Sequence, residues 1–160
     1  MGDQEVPAHP LTRAGLVLLA LPSAVIAGWT LIAPRAFYDD FPGGGRHWVS
    51  ALPPYNEHLL RDFGAASLAI VVFLIGAAII LERRVIQLAL VAFIAYSIPH
   101  FVYHLTTTEQ YSSSDNVASL GGFVVTIALA IALLVLNRET TKASAAPPAS
   151  APFPSRSSRS

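Results

Sequence analysis

The chain has no cysteine and only one methionine, and 12% of its 160 residues are charged, about half the ~25% of an ordinary soluble domain. The missing cysteine excludes disulfides, thiolate metal sites and iron–sulfur clusters held by this chain alone. Formal net charge is zero, and no basic cluster is interleaved with aromatics, so nothing points to nucleic acid as a partner. Gly43-Gly44-Gly45 lacks the Lys-Ser/Thr that a phosphate-cradling loop needs and reads as a flexible turn. Charge is what the middle of the chain lacks most, and long apolar runs stand in its place.

Hydrophobic residues make up 53% of the chain and mean hydropathy is +0.53. Runs of 18 or more largely uncharged residues read as membrane helices, and the chain contains four of them. The expected fold is all-α, an integral membrane antiparallel four-helix bundle occupying residues 11–137. Its helices are placed near 13–34, 56–81, 85–105 and 116–136. Residues 1–10 are polar with two prolines, residues 138–160 are rich in Ser, Ala and Pro, and both segments are expected to be disordered. The first run competes with a cleaved signal peptide ending near Val25-Ile26-Ala27, but it exceeds the 7–15 apolar residues of a signal core and is read as retained. Ala20, Ala24 and Gly28 form a small-xxx-small stripe suited to close helix packing. Residues 34–55 are expected to lie on the membrane surface, with Trp29, Phe37, Phe41 and Trp48 as interface anchors or as one wall of a head-group or quinone pocket. Ser114 or Asp115 is the expected N-cap of the last helix.

Polar residues interrupt two of the apolar runs at what should be one membrane face. Asn56, Glu57, His58, Arg61 and Asp62 open the second run, and His100, Tyr103 and His104 close the third. Ionisable groups inside a membrane segment are costly and face a protein interior or a functional cavity. Glu57/Arg61 and His58/Asp62 stand four apart, so each pair shares a helix face. The plain reading is self-pairing that anchors a helix start. The functional reading is convergence: Asp62 opposite His100, and His58, His100 and His104 as metal ligands, with Asn56, Glu57, Arg61, Asp62 and Tyr103 as further ligand-binding groups. A divalent metal, a haem or a quinone is the cofactor class this pattern admits, and a lipid head group is the remaining ligand. An Asp62–His100 pair would instead handle protons as an intramembrane acid–base or metal-dependent enzyme on a lipid-like substrate. In a purely structural subunit the polar stripes are interhelical glue.

The stretch Phe41-Pro-Gly-Gly-Gly-Arg-His-Trp48, then Pro54-Tyr-Asn-Glu-His58, Arg61-Asp-Phe-Gly64 and Pro99-His100-x3-His104, resembles a set of small four-helix membrane proteins of actinobacteria. The resemblance covers residues 11–137. More distantly the chain is similar to DoxX-like membrane proteins through its helix count and the polar start of its second helix. That resemblance implies a redox-associated accessory role; the chain is expected in the lipid bilayer as a small subunit beside a larger redox or transport assembly. The absence of cysteine departs from thiol-oxidising relatives of similar size.

Lys and Arg set the orientation. With the N-terminus inside, Arg13, Arg83, Arg84, Arg138, Lys142, Arg156 and Arg159 lie on the cytoplasmic side and only Arg35, Arg46 and Arg61 outside. Basic loops stay cytoplasmic, so the chain is expected in the cell membrane with both termini cytoplasmic and the histidine face outward. A C-terminal alkaline phosphatase fusion should therefore be inactive. An active fusion would reverse the assignment.

Overall fold

Four stretches of this sequence are long and apolar enough to cross a membrane, and each is a helix in the computed structural model. The structure describes residues 10–144, with side chains to residue 137. Helix α1 spans Pro10–Ile32, α2 Pro34–Asp40, α3 Glu57–Ile80, α4 Arg83–Thr106 and α5 Ser113–Ser144. The chain is mostly helical; its only strands among the described residues, β1 (Pro42–Gly43) and β2 (Arg46–His47), form a minimal antiparallel hairpin.

Each boundary has a local cause. Helix α1 starts three residues earlier than expected, with Pro10 in its first turn, where a proline's missing N–H costs nothing. Pro34 restarts the helical path as α2. The expected surface loop thus contains a short helix and the hairpin. Gly43, Gly44 and Gly45 all take positive φ (97°, 67° and 76°), a backbone region that glycine enters without the steric cost other residues meet. The glycine run is therefore the hairpin's ordered turn. Asn56 caps α3 by accepting the Leu59 N–H at 3.1 Å. Only Leu81 and Glu82 separate α3 from α4, so the turn expected at Glu82-Arg83-Arg84 is shifted toward Leu81, which adopts the left-handed conformation. Helix α4 continues through Pro99, which sits on an exposed face. Helix α5 runs to Ser144, past the boundary expected at 136, so residues 138–144 are helical backbone. The rest of the tail expected at 138–160, and residues 1–9, lie outside the described residues.

Helix α1 packs most extensively on α3, α4 on α5, and α3 on α4, with a smaller α1–α5 contact. One apolar core joins Leu16, Leu19 and Ala20 of α1, Ile70, Leu74 and Ala77 of α3, Ile86, Leu90 and Phe93 of α4, and Ala130 and Leu133 of α5. In lipid, apolar burial does not drive helices together; close van der Waals packing and interhelical hydrogen bonds do. The closest approach follows that rule. A Cβ on Gly64 would collide with the Thr30 hydroxyl and come within 3.0 Å of Leu31 Cγ. Thr30 is fully buried, and its hydroxyl donates back to Ile26 O at 2.7 Å. The α1 face at this crossing is Ala20, Ser23, Ala27 and Thr30, all buried, whereas Ala24 is exposed and a Cβ on Gly28 would touch nothing within 4 Å. The small-residue stripe expected at Ala20, Ala24 and Gly28 is thus corrected by one helical step: Thr30, Gly64 and Ser67 are the close-contact residues.

The apolar core ends at Ile70 on α3 and Phe93 on α4. From there toward the α2 end of the molecule the contacts turn polar and aromatic. That half of the structure carries the candidate site.

Candidate functional site

The two expected half-clusters are both present, and the structure keeps them apart. At the start of α3, Glu57 and Arg61 form an ion pair at 2.8 Å, and Arg61 also donates to Leu31 O at 2.9 Å. Leu31 sits in the last turn of α1, whose carbonyls have no partner within their own helix. Arg61 is therefore a cross-helix cap. His58 and Asp62 pair at 3.5 Å with side chains 89% and 63% exposed, so this pair faces away from the helix contacts. Ala65 and Ala69, which continue the Arg61 face along α3, are exposed as well. For Glu57/Arg61 and His58/Asp62 the self-paired arrangement is the one that forms.

On α4, His100 and His104 meet tip to tip, with Nε2 atoms 3.2 Å apart. At that distance one ring's Nε2–H donates to the other's lone pair, so the two nitrogens share a proton. The group expected opposite His100 was Asp62. The structure puts Phe63 there instead, one residue on and about 100° around the helix, with its ring edge-on to His100 at 5.7 Å. Phe123 of α5 lies against both imidazoles, at 4.9 Å from His100 and 5.4 Å from His104. Tyr111 and Tyr103 close the other side, with ring centres 5.9 Å and 6.0 Å from His104. Tyr103 is 49% exposed. One turn deeper, the Tyr96 hydroxyl meets Ser67 Oγ at 2.7 Å. Ser67 itself donates to Phe63 O at 2.9 Å, which leaves the tyrosine as donor in that contact. This chain of contacts fixes Phe63 against His100.

Among the described residues no three His, Asp or Glu side chains converge as a metal-holding group. His58 does not join His100 and His104, so the three-histidine sphere expected from sequence is reduced here to a two-histidine seat walled by aromatic rings. Asn56 caps a helix. Glu57 also accepts from the Tyr55 hydroxyl, at a long 3.4 Å.

A second assembly at this end was not foreseen. Asp115 accepts from Trp48 Nε1 at 2.8 Å, from the Arg46 guanidinium at 3.0 Å and from Ser112 Oγ at 2.6 Å. The Tyr111 hydroxyl donates to Trp48 O at 2.9 Å. These bonds clamp the 34–55 segment onto the α4–α5 connection. Ser112, not Ser114 or Asp115, caps α5: its hydroxyl oxygen accepts the Asp115 N–H at 3.1 Å. Asp115 lies in the first turn, where the helix dipole also favours its charge. The aromatic residues expected to anchor in the interface stack mainly on one another. Phe37 contacts Phe41 at 4.6 Å and Trp29 at 5.7 Å, and Phe41 contacts Trp48 at 5.9 Å. Phe37 is almost fully buried. Tyr111 belongs to both assemblies, which ties the clamp to the histidine seat.

The signals for Phe63, Tyr111 and Phe123 were aromatic residues near polar ones, too common in a membrane sequence to single out. The signal for Asp115 was a capping pattern, which accounts for the residue without its partners Trp48 and Arg46.

Three donors, from Trp48, Arg46 and Ser112, converge on the Asp115 carboxylate, so removing its charge should open the clamp. In a Trp29→Phe background, where Trp48 is the sole tryptophan, Asp115→Asn should make Trp48 fluorescence more accessible to an aqueous quencher than in the parent. Unchanged quenching in that variant would remove Asp115 as the clamp's charge.

No protein-family model matches the chain, and neither the curated proteins nor the solved structures contain a match to it.

Proposed function

We propose that this chain is a small polytopic membrane protein, an antiparallel four-helix bundle with both termini in the cytoplasm, that holds a divalent transition-metal ion between His100 and His104 at its outer face. It would serve as an accessory subunit of a larger membrane redox or transport assembly, and its resemblance to DoxX-like proteins implies the redox-associated form of that role. Four membrane-length apolar helices and the skew of Lys and Arg support the topology.

One observation carries the metal reading, the 3.2 Å separation of the two Nε2 atoms. Two metal–imidazole bonds of ~2.0–2.1 Å at a tetrahedral angle hold their nitrogens about 3.3–3.4 Å apart. The pair is thus already spaced for chelation from one side of an ion, which would displace the shared proton once the two rings turn their lone pairs toward a common point. Haem fits less well, because its two axial ligands stand on opposite faces of the ring and these two imidazoles touch with no gap between them. Imidazole suits Zn, Cu, Fe and Ni, with copper(II) bound most tightly in the divalent series. Two protein ligands leave open positions for water or for a ligand from a partner protein. The rings of Phe63, Phe123 and Tyr111 keep the seat apolar, which strengthens any charge interaction made in it.

The same rings favour a second reading, a planar quinone head group that accepts a hydrogen bond from one imidazole. The two readings separate by titration of the detergent-purified full chain with zinc or copper(II). Wild type should bind one equivalent. His100→Ala and His104→Ala should each weaken binding by about 100-fold, at or beyond the 10–100-fold that loss of an outer-shell partner costs. His58→Ala should leave it unchanged. Equal binding in all four proteins would overturn the metal reading. Saturable binding of a short-chain quinone, lost in His104→Ala, would put the quinone in its place.

A further inference from the structure

At the opposite end of the molecule, Arg13 stands where α1 begins and α3 ends. Its Nε donates to Ala78 O in the last turn of α3 at 3.1 Å. That bond uses one of the five N–H donors of a guanidinium and fixes the plane of the group. No carboxylate among the described residues pairs with the remaining donors.

Two open apolar grooves diverge from this arginine along the helix surfaces. One, of about 470 Å³, runs along α1 past Ala14, Leu18 and Leu21; the other, of about 340 Å³, lies between α1 and α3 against Ile75 and Ile79. Arg13 and Val17 line both. From Pro10 to Leu21 the α1 face extends about 17 Å at ~1.5 Å per residue, which is about half of a ~30 Å hydrocarbon core. The first groove is as long as one leaflet is deep, and the second covers about one helical turn of each helix. At this end the described side chains include three arginines, Arg13, Arg83 and Arg84, against one carboxylate, Glu82.

We propose that this surface binds one glycerophospholipid with an anionic head group, its phosphate on the Arg13 guanidinium, one acyl chain along the longer groove and the upper part of the other in the shorter one. Two apolar channels meeting at one oriented cation match a diacyl lipid, since a single-chain amphiphile would fill only one of them. The surplus of arginine selects a net negative head group over a zwitterionic one. The site is remote from the histidine seat and does not depend on the metal reading. In the proposed orientation it faces the cytoplasmic leaflet, where juxtamembrane arginines meet anionic lipid.

The test is native mass spectrometry of the detergent-purified full chain with equimolar phosphatidylglycerol and phosphatidylcholine of identical acyl chains. Wild type should retain one phosphatidylglycerol in preference to phosphatidylcholine by about fivefold, the ratio one arginine near an anionic surface is worth. Arg13→Gln should abolish the preference and Arg13→Lys should keep it. Val17→Trp, which fills the shared wall and leaves the cation, should lose both lipids while circular dichroism stays helical. Equal retention of the two lipids by wild type would overturn the proposal, as would an unchanged preference in Arg13→Gln. Displacement of the phosphatidylglycerol by equimolar glycerol 3-phosphate would also overturn it, since the site would then read a soluble phosphate and not a lipid.

Discussion

The contact of Thr30 with Gly64 is the constraint from which the α2 end of the molecule is built. It brings the α1 and α3 backbones close enough that no side chain, however small, fits at residue 64 without displacing a buried threonine. Only because the helices are so close does Arg61 reach Leu31 O. The crossing also fixes the rotation of α3 about its axis. Gly64 and Ser67 then face inward, Phe63 turns toward α4, and His58 and Asp62 point out. Phe63 reaches His100 on one side while Phe123 arrives from α5 on the other. The histidine seat is therefore a consequence of helix packing, although neither histidine takes part in the α1–α3 contact.

A second theme is the treatment of helix ends. A membrane offers few donors for orphan terminal carbonyls. Here arginines from neighbouring helices supply them, Arg61 to Leu31 at one end and Arg13 to Ala78 at the other. Asn137 adds a cross-tie by donating to Arg83 O at 3.2 Å. Charged residues that a sequence reader would assign to a binding site are thus partly committed to closing the backbone. The clamp on Asp115 does related work for the connections, since one carboxylate holds Trp48, Arg46 and Ser112 together.

The helices were legible from hydropathy because twenty or more uncharged residues admit few other readings. Their ends were less so: α1 begins at Pro10 and α5 runs on to Ser144, because caps and a residue such as Leu81 in the left-handed region leave weak traces in sequence. The pairing of His100 with His104 was legible, since a spacing of four on a helix brings two side chains together regardless of tertiary structure. The meeting of Asp62 with His100 was not. Depth along a helix can be counted from sequence, but rotation about the axis is set by the partner, and one residue of rotation exchanges Asp62 for Phe63. The hairpin and its clamp were hidden for a different reason. Trp48 and Asp115 are 67 residues apart, and nothing local in either segment names the other.

The functional account rests on two imidazoles of one helix binding one ion from the same side. Pulsed electron paramagnetic resonance of the copper(II)-loaded full chain reads that arrangement directly, by counting the imidazole nitrogens coupled to the metal. The account predicts two, both lost in the His100→Ala/His104→Ala double variant. Three or more coupled imidazoles would mean that His58 or another chain completes the sphere. None would mean that the pair holds its shared proton and not a metal.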